Sequence, residues 1–192
     1  MNMNKWLLGF GLALVALSAQ AAIVEFVPPV KNNVLPGEDV IMTLKGNGFS
    51  ANVPVDGGGL NLSFNPAVLQ LVGVTFDPIW NFGIPSPGTI DNTAGTVTDM
   101  FFNDTVAQSG SFNIADFDFK AVAPGDSQLL LSGSALFPFA GTPKGESSPV
   151  VIDVNFNDNG RINVVPEPST WVVLGVGILL AVQGYRRRLT RN

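Results

Sequence analysis

Short apolar–polar alternations, separated by turn residues, run through the middle of this 192-residue chain. Between residues 22 and 165, Gly, Pro, Asn and Asp interrupt the sequence about every 8–12 residues, and no stretch has the periodicity of a long helix. This pattern predicts one all-β domain, a sandwich or a barrel. The candidate strands span residues 23–27, 40–44, 60–64, 68–74, 96–102, 112–121, 128–132, 150–156 and 161–164.

Two glycine-containing segments predict breaks between strands. Gly57-Gly58-Gly59 predicts a flexible bend, and Asn159-Gly160 predicts a type I′ hairpin that joins the last two strands. The stretch from Asp153 also has the D-x-N-x-N spacing of a calcium loop. Asp158 stands where an EF-hand needs glycine, and Val164 stands where it needs glutamate, so the hairpin is the favoured interpretation.

The composition removes several classes of chemistry. The sequence contains neither Cys nor His, so it lacks thiolates, disulfides and the commonest general base. Asp116 and Asp118 lie two apart on one predicted strand, and we interpret them as solvated charges rather than a hydrolytic pair. Residues 22–165 carry five basic and 14 acidic side chains, a net charge of −9, which disfavours nucleic acid and suits cations or a basic partner. We expect no enzyme and no cofactor, assign no metal ligands, and leave a dependence on calcium open.

The C-terminal 28 residues combine a proline hinge, an apolar segment and a basic cluster. Val165, Pro166, Glu167 and Pro168 form the hinge, an apolar run covers residues 171–182, and Arg186, Arg187 and Arg188 follow. The run is short enough for a buried or interfacial helix, but it has no polar face. We therefore predict a transmembrane helix at about residues 169–185, with the basic tail 186–192 fixing its topology on the cytoplasmic side.

The N-terminus predicts export. Lys5 is followed by an apolar core at residues 6–17, and Ala19-Gln20-Ala21 has the small-x-small pattern of a signal-peptide cleavage site. The alternative is a retained N-terminal anchor. We predict a signal peptide over residues 1–21, cleaved after Ala21.

The C-terminal segment resembles the PEP-CTERM sorting signal of Gram-negative bacteria. The order V-P-E-P, short apolar helix and terminal basic cluster matches that signal at Val165 to Pro168 and Arg186 to Arg188. The resemblance implies that the C-terminal segment anchors the protein in the inner membrane until it is processed by exosortase, a transpeptidase-like membrane enzyme. Processing at Pro-Glu-Pro would then release or transfer the domain to the cell surface or the exopolysaccharide matrix.

The body of the chain resembles a cohesin domain. The segments that carry the resemblance are LSFNPAVLQLVGVTF (62–76), GSFNIADFDFKAVAPGDSQLLL (110–131) and DNGRINV (158–164). Cohesins are nine-stranded jelly-roll sandwiches that bind dockerins, so the resemblance implies that fold for residues 22–164 and a binding function. It leaves the ligand open, because dockerin recognition belongs to the surface of one sheet.

The long loop between residues 76 and 91 carries the candidate ligand contacts. Trp80 and Phe82 could stack on a sugar ring, or they could close the end of the sandwich core. We therefore expect an exported, non-enzymatic binding or structural protein of the envelope or matrix. The alternatives are a receptor for dockerin-bearing proteins and a carbohydrate-binding module.

Overall fold

The computed structural model describes residues 21–167, and all regular secondary structure in that range is β-strand. The strands are β1 (Ala22–Val27), β2 (Val30–Val34), β3 (Asp39–Phe49), β4 (Val55–Ser63), β5 (Leu69–Phe76), β6 (Thr89–Asp91), β7 (Thr96–Gln108), β8 (Gly110–Ala121), β9 (Gly125–Gly133), β10 (Ala140–Gly141), β11 (Val150–Val151), β12 (Val154–Asn157) and β13 (Gly160–Val164). Residues 21–167 contain no long apolar helix of the kind that crosses a bilayer.

The strands form two sheets. The smaller sheet has the order β12-β1-β3-β8-β5. The larger sheet runs β11-β10-β4-β9-β13-β2, and β7 pairs with the other side of β4 and with β6. The predicted all-β sandwich is confirmed.

The core lies between the two sheets and is rich in phenylalanine. On β8, the predicted alternation is confirmed, because Phe117 and Phe119 are fully buried while Asp116 faces solvent. The ring of Phe26 on β1 meets Phe117 edge-on, with ring centroids 5.6 Å apart. Such edge-to-face pairs suit the aromatic quadrupole and add to the gain from burial.

The predicted hairpin at Asn159-Gly160 is wrong. β12 pairs in parallel with β1 in the smaller sheet, whereas β13 pairs with β9 and β2 in the larger sheet. The segment between them therefore crosses from one sheet to the other. Neither Asn159 nor Gly160 has the positive φ that a type I′ turn requires. Gly160 is instead needed for packing, since a Cβ there would lie 2.5 Å from a ring carbon of Phe26.

The predicted bend at residues 57–59 is also wrong, because the three glycines lie inside β4. A Cβ on Gly57 would lie 2.5 Å from the carbonyl oxygen of Phe102, and one on Gly58 would lie 2.6 Å from the ring of Phe139. A Cβ on Gly59 would lie 2.7 Å from the Cβ of Phe137. The glycines therefore allow neighbouring segments to approach both faces of the strand closely.

The strand count differs from the nine that the resemblance implies, since residues 21–167 contain 13. The Pro28-Pro29 pair separates β1 from β2, a polar strand that the apolar pattern did not predict. β7 extends to Gln108, six residues beyond the predicted end. The short strands β6, β10 and β11 pair at the edges of the larger sheet.

Several predictions concern residues outside the described range. These are most of the signal peptide with Ala19, the transmembrane helix, Pro168 and the cluster Arg186, Arg187 and Arg188. Within the range, Ala21 directly precedes β1, and Pro166 and Glu167 are exposed after β13.

Candidate functional site

An open groove of about 480 Å³ lies on the outer face of the larger sheet, where β4 and β7 pair. Phe101 lines it, and because its neighbours Met100 and Phe102 point into the core, its own side chain faces outward. Together with three other groove residues, Phe82, Leu136 and Phe137, it forms what we call the apolar patch. Phe82 is 56% exposed and Leu136 is 69% exposed, so this patch presents large apolar side chains to solvent.

A buried serine fixes the segment that carries Leu136 and Phe137. The hydroxyl of Ser134 accepts hydrogen bonds from the backbone N–H groups of both residues, at 3.1 and 3.3 Å. The same hydroxyl donates to Oδ1 of Asp99 at 2.7 Å. Phe137 then packs beside Phe101, with ring centroids 4.7 Å apart, over the space that Gly59 leaves open. This edge of the groove is therefore formed by a turn that is hydrogen-bonded, through Ser134, to Asp99 on β7.

Two backbone contacts hold the opposite edge of the groove against β7. The N–H of Phe82 donates to the carbonyl oxygen of Asn103 at 3.3 Å. Ser86 and Phe101 exchange two backbone hydrogen bonds of 3.0 Å, which pairs this loop with the strand. The backbone that carries the exposed ring of Phe82 is thus fixed against the sheet.

Trp80 does not contribute to the apolar patch, because only 2% of its surface is exposed. Its indole N–H donates to the carbonyl oxygen of Asn113 at 3.0 Å, and its rings pack on Phe102 and Phe112. The residue closes the end of the core, which was one of the two interpretations of the sequence. It offers no ring face to a sugar, so of the two predicted contacts only Phe82 is available to a ligand.

The groove has one acidic end, formed by Asp56 and Asp104 with Asn103 beside them. Within residues 21–167, the ion pairs are Lys120–Asp39 and Arg161–Asp126, and neither involves the groove carboxylates. The groove therefore combines an apolar patch with uncompensated negative charge.

The Arg161–Asp126 pair joins β13 to β9 away from the groove. Hydrogen bonds from Arg161 and then from Asn163 lower the pKa of the Asp126 carboxyl below its ordinary value of 3.8. The same pairing raises the pKa of the Arg161 guanidinium. Both side chains are about half exposed, so the pair contributes little to stability.

The other acidic candidates of the sequence do not form a site. The hydroxyl of Thr43 donates to Asp116 at 2.7 Å, on the outer face of the smaller sheet. Asp153 begins no calcium loop, because β12 occupies the following residues. In the part of the chain that the structure describes, no three acidic side chains cluster as metal ligands.

Sequence reasoning found Phe82 but missed the rest of the apolar patch. Ser134, Leu136 and Phe137 lie in one short segment, Ser-Ala-Leu-Phe-Pro, and a serine shortly before a proline is a sequence signal of a turn that a serine hydroxyl can stabilise. That signal indicates the turn, but not the strand on which it packs.

No protein-family model matches the chain, and no curated protein matches it either. Solved structures of cohesin domains do match the described residues. The seventh ScaB type I cohesin of Pseudobacteroides cellulosolvens aligns with a TM-score of 0.59 and 20% identity, over 78% of this chain and 96% of that one. The third ScaC cohesin of Acetivibrio cellulolyticus, solved in complex with the ScaB dockerin, gives a TM-score of 0.56 and 13% identity, over 75% of this chain and 99% of that one.

An archaeal protein extends the comparison beyond cellulosomes. The non-cellulosomal cohesin of Archaeoglobus fulgidus aligns with a TM-score of 0.54 and 15% identity, over 76% of this chain and 92% of that one. At these identities the likeness is one of fold. The described part of this chain has the fold of cohesin domains.

Proposed function

We propose that this protein is an exported, non-enzymatic binding module that uses the apolar patch to bind a dockerin-like domain of another protein. The observation that carries the proposal is the patch itself, with Phe82 and Leu136 exposed on one sheet of a cohesin fold. Exposed apolar side chains of this size, next to a groove and held by hydrogen bonds, are typical of protein-binding surfaces.

The similar structures support a protein as the partner. Cohesins from Acetivibrio cellulolyticus and Clostridium thermocellum were solved in complex with dockerins. The net charge of −9 over residues 22–165 adds a preference for a partner with basic side chains, because opposite charges speed association and orient the complex.

The proposed setting is the outside of a Gram-negative cell. The signal peptide at residues 1–21 would export the chain, and the PEP-CTERM-like segment at residues 165–192 would hold it in the inner membrane for exosortase. After processing, the domain would present its patch at the cell surface or in the exopolysaccharide matrix.

The test is the affinity of the full-length chain, in detergent, for dockerin domains, measured by calorimetry. The probes are dockerin-like domains that the same cell secretes, with the ScaB dockerin of Acetivibrio cellulolyticus as a comparison. Leu136→Asp places a charge in the patch, and we expect it to weaken binding by roughly 10–100-fold, as loss of a central apolar contact does. Because Leu136 is 69% exposed, the variant should keep its fold.

Ile41→Asp is the matched control. Ile41 is 55% exposed on β3 of the smaller sheet, so the same change on the opposite side of the sandwich should leave affinity unchanged. Equal losses in both variants, or no binding to any dockerin, would contradict the proposal. Binding to purified envelope polysaccharide, lost in Phe82→Ala, would instead support the carbohydrate-binding alternative.

A further inference from the structure

Two side-chain oxygens at the acidic end of the groove are buried without a partner. Asp104 is 8% exposed, and its Oδ1 atom accepts no hydrogen bond from any residue that the structure describes. The same holds for Oδ1 of the neighbouring Asn103. Both residues line the groove. A buried carboxylate oxygen without a donor or a cation is costly, so these atoms call for a further ligand.

A third oxygen donor lies across the strand pair. In the pairing of β7 with β4, Gln108 lies opposite Val55 and Asn103 lies opposite Gly57. The four residues 104–107 therefore lie opposite the single residue Asp56 and form a bulge in β7. Bulges of this kind re-aim side chains, often at functional sites. Asp56 also lines the groove, and its Oδ2 accepts a hydrogen bond from the hydroxyl of Thr142 at 2.7 Å, which orients the carboxylate.

The second oxygen of Asp104 is fixed in the same way. Gln108 donates from its side-chain amide to Oδ2 of Asp104 at 2.8 Å, so Oδ1 is the oxygen of this carboxylate that has no partner among the described residues. Neither ion pair within residues 21–167 brings a lysine or an arginine to these carboxylates. The cluster thus holds two carboxylates and one amide oxygen, with no nitrogen or sulfur ligand.

We propose that Asp104, Asn103 and Asp56 form a calcium-binding site at the acidic end of the groove. The two unpartnered oxygens are buried from solvent, and carboxylate and amide oxygens of this kind bind Ca²⁺ at about 2.3–2.6 Å. An all-oxygen set with protein ligands suits Ca²⁺ better than Mg²⁺, which retains most of its waters. The bound ion would tie the bulge of β7 to β4 and so stabilise this end of the groove.

The experiment uses the full-length chain in detergent, stripped of metal with a chelator and without any partner, so its result is independent of the docking proposal. Calorimetry with CaCl₂ should give a dissociation constant of about 0.1–1 mM, the range of extracellular calcium modules. Addition of 5 mM Ca²⁺ should raise the melting temperature by about 3–5 °C, and 5 mM Mg²⁺ should raise it less.

Two variants and a control decide the assignment. Asp104→Asn and Asp56→Asn should each weaken Ca²⁺ binding at least about tenfold, because each removes a charged ligand. Asp116→Asn, on the outer face of the other sheet, should bind as the wild type does. Asp56 is the less buried of the two carboxylate ligands, so Asp56→Asn is the decisive variant if Asp104→Asn does not fold.

The stability of Asp104→Asn separates a calcium ligand from a residue with a purely structural role. In chelator the variant should melt at or above the wild-type temperature, because it removes an unpaired buried charge, and in Ca²⁺ it should melt below it. The proposal is overturned if the wild type gives no heat and no shift in melting temperature with Ca²⁺. It is equally overturned if Asp104→Asn lowers the melting temperature by the same amount in chelator and in Ca²⁺.

Discussion

Gly160 has no space around its α-carbon on the core side. A Cβ there would lie 2.5 Å from Cδ2 of Phe26 and 2.8 Å from Cβ of Leu129, and both residues are fully buried. The backbone at position 160 has no positive φ, so conformational freedom is not the reason for the glycine. Close packing between β13 and the opposite sheet is the reason.

Gly160→Ala should therefore destabilise the protein by about 1–3 kcal/mol, the usual cost of overpacking a core. Urea unfolding followed by fluorescence gives the free energy of unfolding. Gly73→Ala is the control, since a Cβ at Gly73 meets nothing within 4 Å and its φ is not positive. That variant should be neutral or slightly stabilising, because alanine restricts the unfolded chain. Equal losses at both positions would show that packing at position 160 is not decisive.

The two positions also show what can be predicted from residues alone. The alternation on β8 predicted which side chains enter the core, because burial of one sheet face is a local, period-two property. The glycines at 57–59 and 160 predicted breaks, but they serve close approach by segments that are distant in sequence. From the sequence alone, a glycine that permits a turn cannot be distinguished from a glycine that permits close packing against a distant segment.

At the scale of elements, side chains of the crossover between β12 and β13 replace the hydrogen bonds of a hairpin. Oδ1 of Asp158 accepts from the N–H of Leu131 at 2.7 Å, and Oδ1 of Asn159 accepts from the N–H of Phe26 at 3.3 Å. The amides of Asn157 and Asn159 donate to the carboxylate of Glu25. The crossover is thereby fixed to strands of both sheets.

Asn159→Ala should cost about 1–3 kcal/mol, because it leaves the N–H of Phe26 without its acceptor and removes one donor to Glu25. The midpoint of urea unfolding measures the loss, and hydrogen exchange at Phe26 should accelerate. Asn155→Ala is the control, since Asn155 is exposed in β12 and its side chain makes no hydrogen bond to another residue within 21–167. If the two variants unfold at the same midpoint, the crossover does not depend on Asn159.

The elements themselves were largely predictable, and their pairing was not. Every predicted strand contains or overlaps an observed one, because alternation and turn residues act over a few neighbours. The parallel pairing of β12 with β1 joins residues more than 130 positions apart, and no local pattern encodes it. The same holds for the candidate site, where Phe82, Phe101 and Leu136 come from three separate segments.

At the scale of the whole molecule, the sandwich lies between the two processing sites that we predict from the sequence. β1 starts at Ala22, directly after the predicted signal-peptide cleavage site. At the other end, the N–H of Val165 makes a 2.8 Å hydrogen bond to the carbonyl oxygen of Val34, and Pro166 and Glu167 are then exposed. Cleavage at the Pro-Glu-Pro motif would therefore leave every core residue between Ala22 and Val164 in place.

This arrangement predicts the mass of the mature protein in a host that has exosortase. Wild-type protein recovered from the envelope and the medium should lack residues 1–21 and the segment that follows the Pro-Glu-Pro motif. Glu167→Ala changes the exposed centre of that motif, so the variant should keep its C-terminal segment and remain in the inner membrane. Mass spectrometry of the fractionated cells measures both outcomes.

Glu146→Ala is the matched control, because Glu146 is also an exposed glutamate but lies in the loop between β10 and β11. It should be processed and released as the wild type is, which assigns the effect of Glu167→Ala to the motif rather than to the loss of one charge. Wild-type protein that keeps its C-terminal segment in the membrane would overturn the sorting proposal. The apolar patch would then act from a tethered domain on the periplasmic side, and its partner would have to be sought there.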